Sequence, residues 1–215
     1  ACRRASPRRG PLNSGERLDW PVRLAEGRVE LRPLRFRDGR AWTALRARNT
    51  EWLRPWEPTP PITRSGFPAT FGQMVRRYSA QARAGEALPW AVTYRGDLAG
   101  QLTVSGITWG SARMGSAGYW VSRDVAGRGV IPTALALAVD HCFFTVGLHR
   151  IEVNIRPENQ ASLRVVEKLG FRQEGIRERF LHIDGDWRDH LSFALTADEV
   201  PDGLMRRWRA SRQSA

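Results

Sequence analysis

Two short runs hold the residues most able to do chemistry. The first is Ser122-Arg123-Asp124-Val125-Ala126-Gly127-Arg128-Gly129-Val130-Ile131-Pro132, set between the strand-forming Tyr119-Trp120-Val121 and a long apolar stretch that ends at Gly147. Gly127 and Gly129 allow a sharp turn and a close approach of backbone to a ligand. Pro132 falls in the first turn of the expected helix, where its missing N–H costs little. A glycine turn feeding a helix start leaves unpaired N–H groups converging on one spot, with the positive end of the helix dipole behind them. Such a spot binds phosphate. The second run, Asn159-Gln160-Ala161-Ser162, opens a helix that Gly170 closes, with Asn159 as its cap.

The glycine run is not a nucleotide signature. Nowhere does the chain contain Gly-x-x-x-x-Gly-Lys-Ser/Thr, and Gly-x-Gly-x-x-Gly would need a glycine where Pro132 stands. Taken alone, Gly-x-Gly also fits an ordinary tight turn.

The elements that must position these runs follow from periodicity and punctuation. Residues 1–26 read as a basic, disordered leader, and Val29 and Leu31 alternate against Glu30 and Arg32 in a first strand. Asp38 caps a helix to about Asn49. The prolines of Glu51-Trp52-Leu53-Arg54-Pro55-Trp56-Glu57-Pro58 forbid a regular element and stiffen a segment carrying two tryptophans, which either plug a core edge or wall a groove. A second helix runs from about Ala69 to Ala84. Strands at 89–94, 98–106 and 115–122 form an antiparallel meander. After the glycine run come a helix from Pro132 to Val146, a strand over 149–156, the Asn159 helix, and a hairpin of 176–183 with 187–195 turning at Asp184-Gly185. Residues 197–215 read as a basic tail, the last part a frayed helix. The order is β-α-α-β-β-β-α-β-α-β-β, an α+β domain over 27–196 with about seven strands in a mixed, largely antiparallel sheet and helices on both faces.

The 215 residues carry 34 basic and 22 acidic side chains for a net charge of +12, and Lys168 is the sole lysine. This balance attracts polyanions such as nucleic acid, a ribosome surface or phosphorylated cofactors, or it is solvated surface. Cys2 and Cys142 lie far apart, so no disulfide framework is indicated, and the four histidines lack metal-ligand spacing. No apolar stretch is long enough to span a membrane or serve as an export signal, which places the protein in the cytoplasm.

The six residues Asp124 to Gly129 resemble the pyrophosphate loop of the GNAT N-acyltransferases, Gln/Arg-x-x-Gly-x-Gly/Ala, with Asp124 departing from its first position. About thirty residues on, Asn159 to Phe171, ending in Leu169-Gly170-Phe171, is similar to that family's second signature. Leu53-Arg54-Pro55-Trp56-Glu57-Pro58 and Ile183-Asp184-Gly185-Asp186-Trp187-Arg188-Asp189-His190 resemble the RimJ/RimL-type ribosomal-protein N-terminal acetyltransferases. The resemblance spans roughly residues 27 to 196. It implies a GNAT fold, acetyl-CoA as donor, and the α-amine of a protein or peptide, such as a ribosomal protein, as acceptor. Monomer and homodimer both fit, and nucleic acid enters only indirectly.

Residue by residue, the resemblance implies that the strand holding Trp120 and Val121 splays from the 149–156 strand. The Val121 N–H then polarises the thioester carbonyl. Backbone N–H groups from Ala126 through Gly127, Arg128, Gly129 and Val130 to Ile131 hold the pyrophosphate. Asn159 meets the pantetheine arm, and Arg123, Arg128 and Arg164 add charge. Tyr119, Trp52, Trp56 and Asn154 face the acceptor. Many family members have a Tyr where Val166 stands here, so Ser162, on the same helix face as Asn159, becomes the general acid. An α-amine has a pKa near 8, so a carboxylate relaying a water suffices as base, with Glu57 and Glu152 as candidates. Asp189 and His190 look like an acid–base pair but read as residues orienting the hairpin. Two other functions fit the same framework. One is acetylation of a small amine in a narrow acidic pocket, the other an inactive GNAT domain that binds RNA or ribosomes.

Overall fold

The computed structural model describes residues 18–61 and 70–213; segments 1–17 (with Cys2), 62–69 and 214–215, and with them most of the expected leader and the expected helix start at Ala69, lie outside the described residues. Eight strands form one sheet: β1 (Leu24–Glu26), β2 (Val29–Pro33), β3 (Leu88–Tyr94), β4 (Asp97–Thr108), β5 (Met114–Val121), β6 (Arg150–Ile155), β7 (Arg172–Ile183) and β8 (Asp186–Thr196). Their spatial order is β1-β2-β3-β4-β5-β6-β8-β7. Every neighbouring pair is antiparallel except β5 and β6, which run parallel and are joined by a helical crossover. The eighth strand, beyond the seven expected, is β1.

Strand β3 shows why the helices lie where they do. Its Leu88, Trp90 and Val92 enter the main core, whereas Ala91 joins Leu34 and Val75 in a smaller core on the opposite face. A period of two demands this split, and burial on both faces makes β3 apolar throughout. Helices α1 (Gly39–Arg48) and α3 (Phe71–Arg83) cover the smaller core through Trp42, Phe71 and Met74. Helices α4 (Val130–His141), α5 (Gln160–Leu169) and α6 (Leu204–Gln213) cover the main core. Trp90, Leu102 and Leu135 are fully buried there, each worth about 2–3 kcal/mol of transfer free energy.

Four local expectations are corrected. Leu18 and Trp20, read as leader, are buried in the main core, so the ordered chain begins before residue 27. Residues 204–213, read as a frayed tail, form a docked helix. Leu204, Met205 and Trp208 are buried, and Asp140 on α4 accepts from the Leu204 and Met205 N–H groups at 2.6 and 3.1 Å. Asp38 precedes α1 but does not cap it with its side chain. Its buried carboxylate takes Arg32 in a two-point ion pair at 2.7 and 3.0 Å, and the Arg35 N–H at 2.8 Å. The proline segment is also more regular than expected. It forms helix α2 (Thr50–Leu53) and a 3-10 turn, Arg54–Trp56, in which Pro55 occupies an early position that needs no N–H.

The helix after the glycine run begins at Val130, two residues earlier than expected, and from Cys142 to Val146 it widens into a π-helical turn capped by Gly147. Among the described residues, no helix is long and apolar enough to cross a membrane.

Candidate active site

The sheet opens between β5 and β6. Their register holds for Met114↔Arg150, Gly115↔Ile151 and Ser116↔Glu152, then stops. From Ala117 to Val121, β5 pairs only with β4. The Ser122 N–H donates to the Ala99 carbonyl at 2.7 Å. Strand alternation therefore turns the N–H and carbonyl of Val121 away from β4 and into the opening. Consistent with that, the Trp52 indole N–H reaches the Val121 carbonyl from the opening side at 3.0 Å. Gly100 permits the tight β4–β5 approach here, since a Cβ at that position would lie 2.2 Å from the Trp120 carbonyl oxygen.

On one side of the opening is a cavity of about 510 Å³, floored by the glycine run and the start of α4. Gly127 and Gly129 both adopt positive φ, 77° and 75°, which glycine tolerates. The Ala126 N–H closes a turn onto the Arg123 carbonyl at 3.2 Å. The N–H groups of Gly127, Arg128, Gly129, Val130 and Ile131 have no acceptor among the described residues. They are the unmet donors of a helix start, and they fit an anionic diphosphate. Trp120, Val121, Ala126 and Asn159 line the cavity with them. Arg164 and Lys168, one turn apart on α5, bring positive charge to its wall, whereas Arg123 and Arg128 are exposed and outside the lining. Asn159 caps α5 by accepting from the Ser162 N–H at 3.1 Å, and its amide N–H₂ group has no partner among the described residues.

A second cavity of about 430 Å³ lies on the hairpin side. The Trp56–Thr59 segment is tied to the hairpin there. The Thr59 N–H donates to the His182 carbonyl at 2.9 Å, Pro58 bridges Ile183, and the Arg156 guanidinium sits over the Trp56 ring at 5.5 Å. Asn154 lines this cavity, held by Ser192 at 2.6 Å and by Ser116 at 3.4 Å. Trp52 does not reach it and lines the first cavity instead.

The two cavities share four lining residues: Trp56, Tyr119, Asn159 and Ser162. At this junction the Tyr119 hydroxyl is buried and makes no hydrogen bond of normal geometry among the described residues, although Tyr119 as a whole is only partly buried. Burial raises the phenol well above its ordinary pKa, and only the nearby Ser162 side chain opposes the shift. The phenol therefore stays protonated beside the serine.

The two carboxylates expected as bases are not brought to the junction. Glu57 points to the other side of its segment, where Arg46 engages both its oxygens. Glu152 is buried and held by Arg150 at 2.9 Å and Arg177 at 2.6 Å, with no place in either cavity lining. Both carboxylates are thus occupied by guanidinium groups away from the junction.

Two residues of the site, Trp208 and Asn49, carry no expectation from the sequence, and His190, read as orienting the hairpin, is placed at a cavity. Trp208 lines the first cavity and donates its indole N–H to Thr133 at 2.9 Å; the apolar spacing of Leu204, Met205 and Trp208 was the available signal. His190 lines the second cavity, on the same strand face as Ser192. Asn49, buried at the end of α1, accepts from the Arg123 N–H at 2.9 Å and donates to the Ser122 hydroxyl at 3.0 Å, fixing the exit of β5 from 74 residues away. No sequence signal marks such a brace.

Comparison with known proteins agrees with this geometry. The acetyltransferase (GNAT) domain family matches residues 28–172. The [ribosomal protein uS5]-alanine N-acetyltransferase of Escherichia coli (strain K12) is 31% identical over 195 residues, covering 88% of this chain and 98% of that protein. Among solved structures, Mycobacterium smegmatis RimJ in complex with CoA-disulfide is similar at a TM-score of 0.83 and 38% identity, over 90% of this chain and 96% of that one. The ribosomal-protein-S5-alanine acetyltransferase from Vibrio fischeri is similar at a TM-score of 0.73 and 26% identity, over 83% and 98%.

Proposed function

We propose an acceptor for a chain that belongs to the GNAT acetyltransferase family, in its RimJ/RimL-like branch: the α-amine at the N-terminus of a protein, a ribosomal protein in particular. The chain is an N-acetyltransferase that uses acetyl-CoA. The observation that carries the acceptor reading is the lining of the second cavity. Among the described residues it contains Ser105, Ser116, Asn154 and Arg156 but no Asp or Glu. A polycationic small amine needs carboxylates there, whereas a single α-amine followed by a neutral backbone does not. The small residues Ala117 and Gly118 in the same lining suit a short first side chain.

Acetyl-CoA supplies the activated thioester. In this reading the free N–H groups from Gly127 to Ile131, with Arg164 and Lys168, hold the diphosphate. Asn159 offers its spare amide to the pantetheine arm. The Val121 N–H stabilises charge on the carbonyl oxygen as the amine attacks, and Trp52 holds the Val121 carbonyl in the next peptide unit. The Ser162 hydroxyl gives a proton to the departing sulfur, next to the protonated Tyr119. Trp56 and Asn154 border the path of the acceptor. The domain in this reading includes Leu18 through α6.

The test is release of free CoA from acetyl-CoA with peptides beginning in Ala, Ser or Thr, each with a free or a blocked α-amine, beside a panel of small amines. Turnover that disappears on blocking the α-amine is expected. Turnover on small amines alone would overturn the acceptor and leave the donor side standing.

A further inference from the structure

We propose that His190 is the general base of the transfer, accepting the proton of the acceptor amine on its Nε2. This deepens the proposed function: it rests on an amine acceptor, but not on which amine.

His190 is 3% exposed, and its ring borders the acceptor cavity whose lining also contains Tyr119 and Ser162. Its Nδ1 lies 3.0 Å from the Arg188 carbonyl oxygen. A carbonyl can only accept, so Nδ1 carries the proton of the neutral ring and the lone pair is on Nε2. Nε2 has no partner among the described residues. The ring is oriented a second time by Phe180, edge-on at 5.6 Å and 76°. Among the described residues no carboxylate lines the cavity, and Glu57 and Glu152 are bound to arginines outside it. Among the described lining residues, His190 alone is a side chain that can accept a proton near neutrality.

The surroundings keep it in the accepting form. Burial lowers its pKa below the ordinary 6.5. The Arg188 carbonyl opposes that shift, Arg156 adds to it, and Asp189 and Glu158 oppose it more weakly. Arg177, its cross-strand neighbour, is engaged by Glu152. Asp189 does not pair with the imidazole; its carboxylate takes the Arg179 N–H at 2.7 Å. In the step itself the amine lone pair forms the C–N bond and the C–S bond breaks, its electron pair leaving with sulfur. The proton lost by nitrogen goes to Nε2 and then to solvent. The sulfur gains one proton through Ser162, which solvent restores.

The test uses whichever acceptor the peptide and amine panel identifies. For the wild type, log kcat/KM against pH should have a slope of two at low pH, where imidazole and acceptor amine both titrate, falling to one above the imidazole pKa. His190→Asn keeps an N–H for the Arg188 carbonyl but has no base. It should show a slope of one up to the amine pKa, with no steeper limb at low pH, and a kcat lower by about a hundredfold, with CoA affinity by calorimetry unchanged. Side-chain NMR of the unliganded wild type, independent of any variant, should find the Nδ1–H tautomer of His190 titrating below 6.5. Either of two results overturns the proposal: a variant that keeps the slope of two and stays within roughly threefold of wild-type kcat, or an Nε2–H tautomer in the wild type.

Discussion

The cavity at the start of α4 and the cavity against the hairpin meet at Tyr119 and Ser162, yet they are made of different material. On the α4 side the polar groups left without an acceptor among the described residues are backbone N–H groups of consecutive residues, Gly127 to Ile131, set by two positive-φ glycines. On the hairpin side the polar groups of the lining are side chains drawn from several strands, among them Ser105 on β4, Ser116 on β5, Asn154 on β6 and His190 on β8. A backbone site depends on the path of the chain and tolerates most side-chain changes. A side-chain site keeps its shape through a substitution and loses chemistry instead.

This contrast predicts different failures on the two sides. The largest effect should come from Gly100→Val. Its Cβ would stand 2.2 Å from the Trp120 carbonyl, so β4 and β5 must separate beside the opening, at a cost of about 3 kcal/mol or more. Urea unfolding and CoA calorimetry should both register the loss; wild-type stability would break the claim that the backbone path makes the donor side. Ser162→Ala, at the junction, should lower kcat about a hundredfold, near 2.7 kcal/mol, with CoA affinity preserved. A fall in affinity matching the fall in rate would make the serine a binding group. Glu57→Gln should do least, changing kcat and acceptor KM by no more than about twofold, since its partner is Arg46 and its position lies outside both cavities. A rate loss as large as that of Ser162→Ala would return this carboxylate to the mechanism.

The same contrast explains what the sequence could disclose. Gly127, Gly129, Pro132, Asn159 and Gly170 announce turns and caps because their backbone preferences are local, and the α4 side was readable from them. The splay of β5 from β6 could be expected only through resemblance, because nothing in Tyr119-Trp120-Val121 says where pairing stops. Glu57 and Glu152 looked available in sequence. Arg46 lies eleven residues from Glu57, and of the two arginines on Glu152 one, Arg150, is two residues away while the other, Arg177, is twenty-five; no composition argument finds the distant pairs. His190 was read as a hairpin residue for the same reason: its cavity is assembled from strands that meet only in the folded sheet. Tertiary placement, not residue type, separates a structural histidine from a reactive one.

The sheet order has one more consequence. The β7–β8 hairpin lies outside β6, at the margin of the sheet, while the α4 cavity is built between β5 and the helices of the main core. Selection can therefore lengthen, recharge or reshape the hairpin without disturbing the glycine run. Across descendants of such a scaffold, acceptor preference is free to diverge while the cofactor machinery is inherited intact.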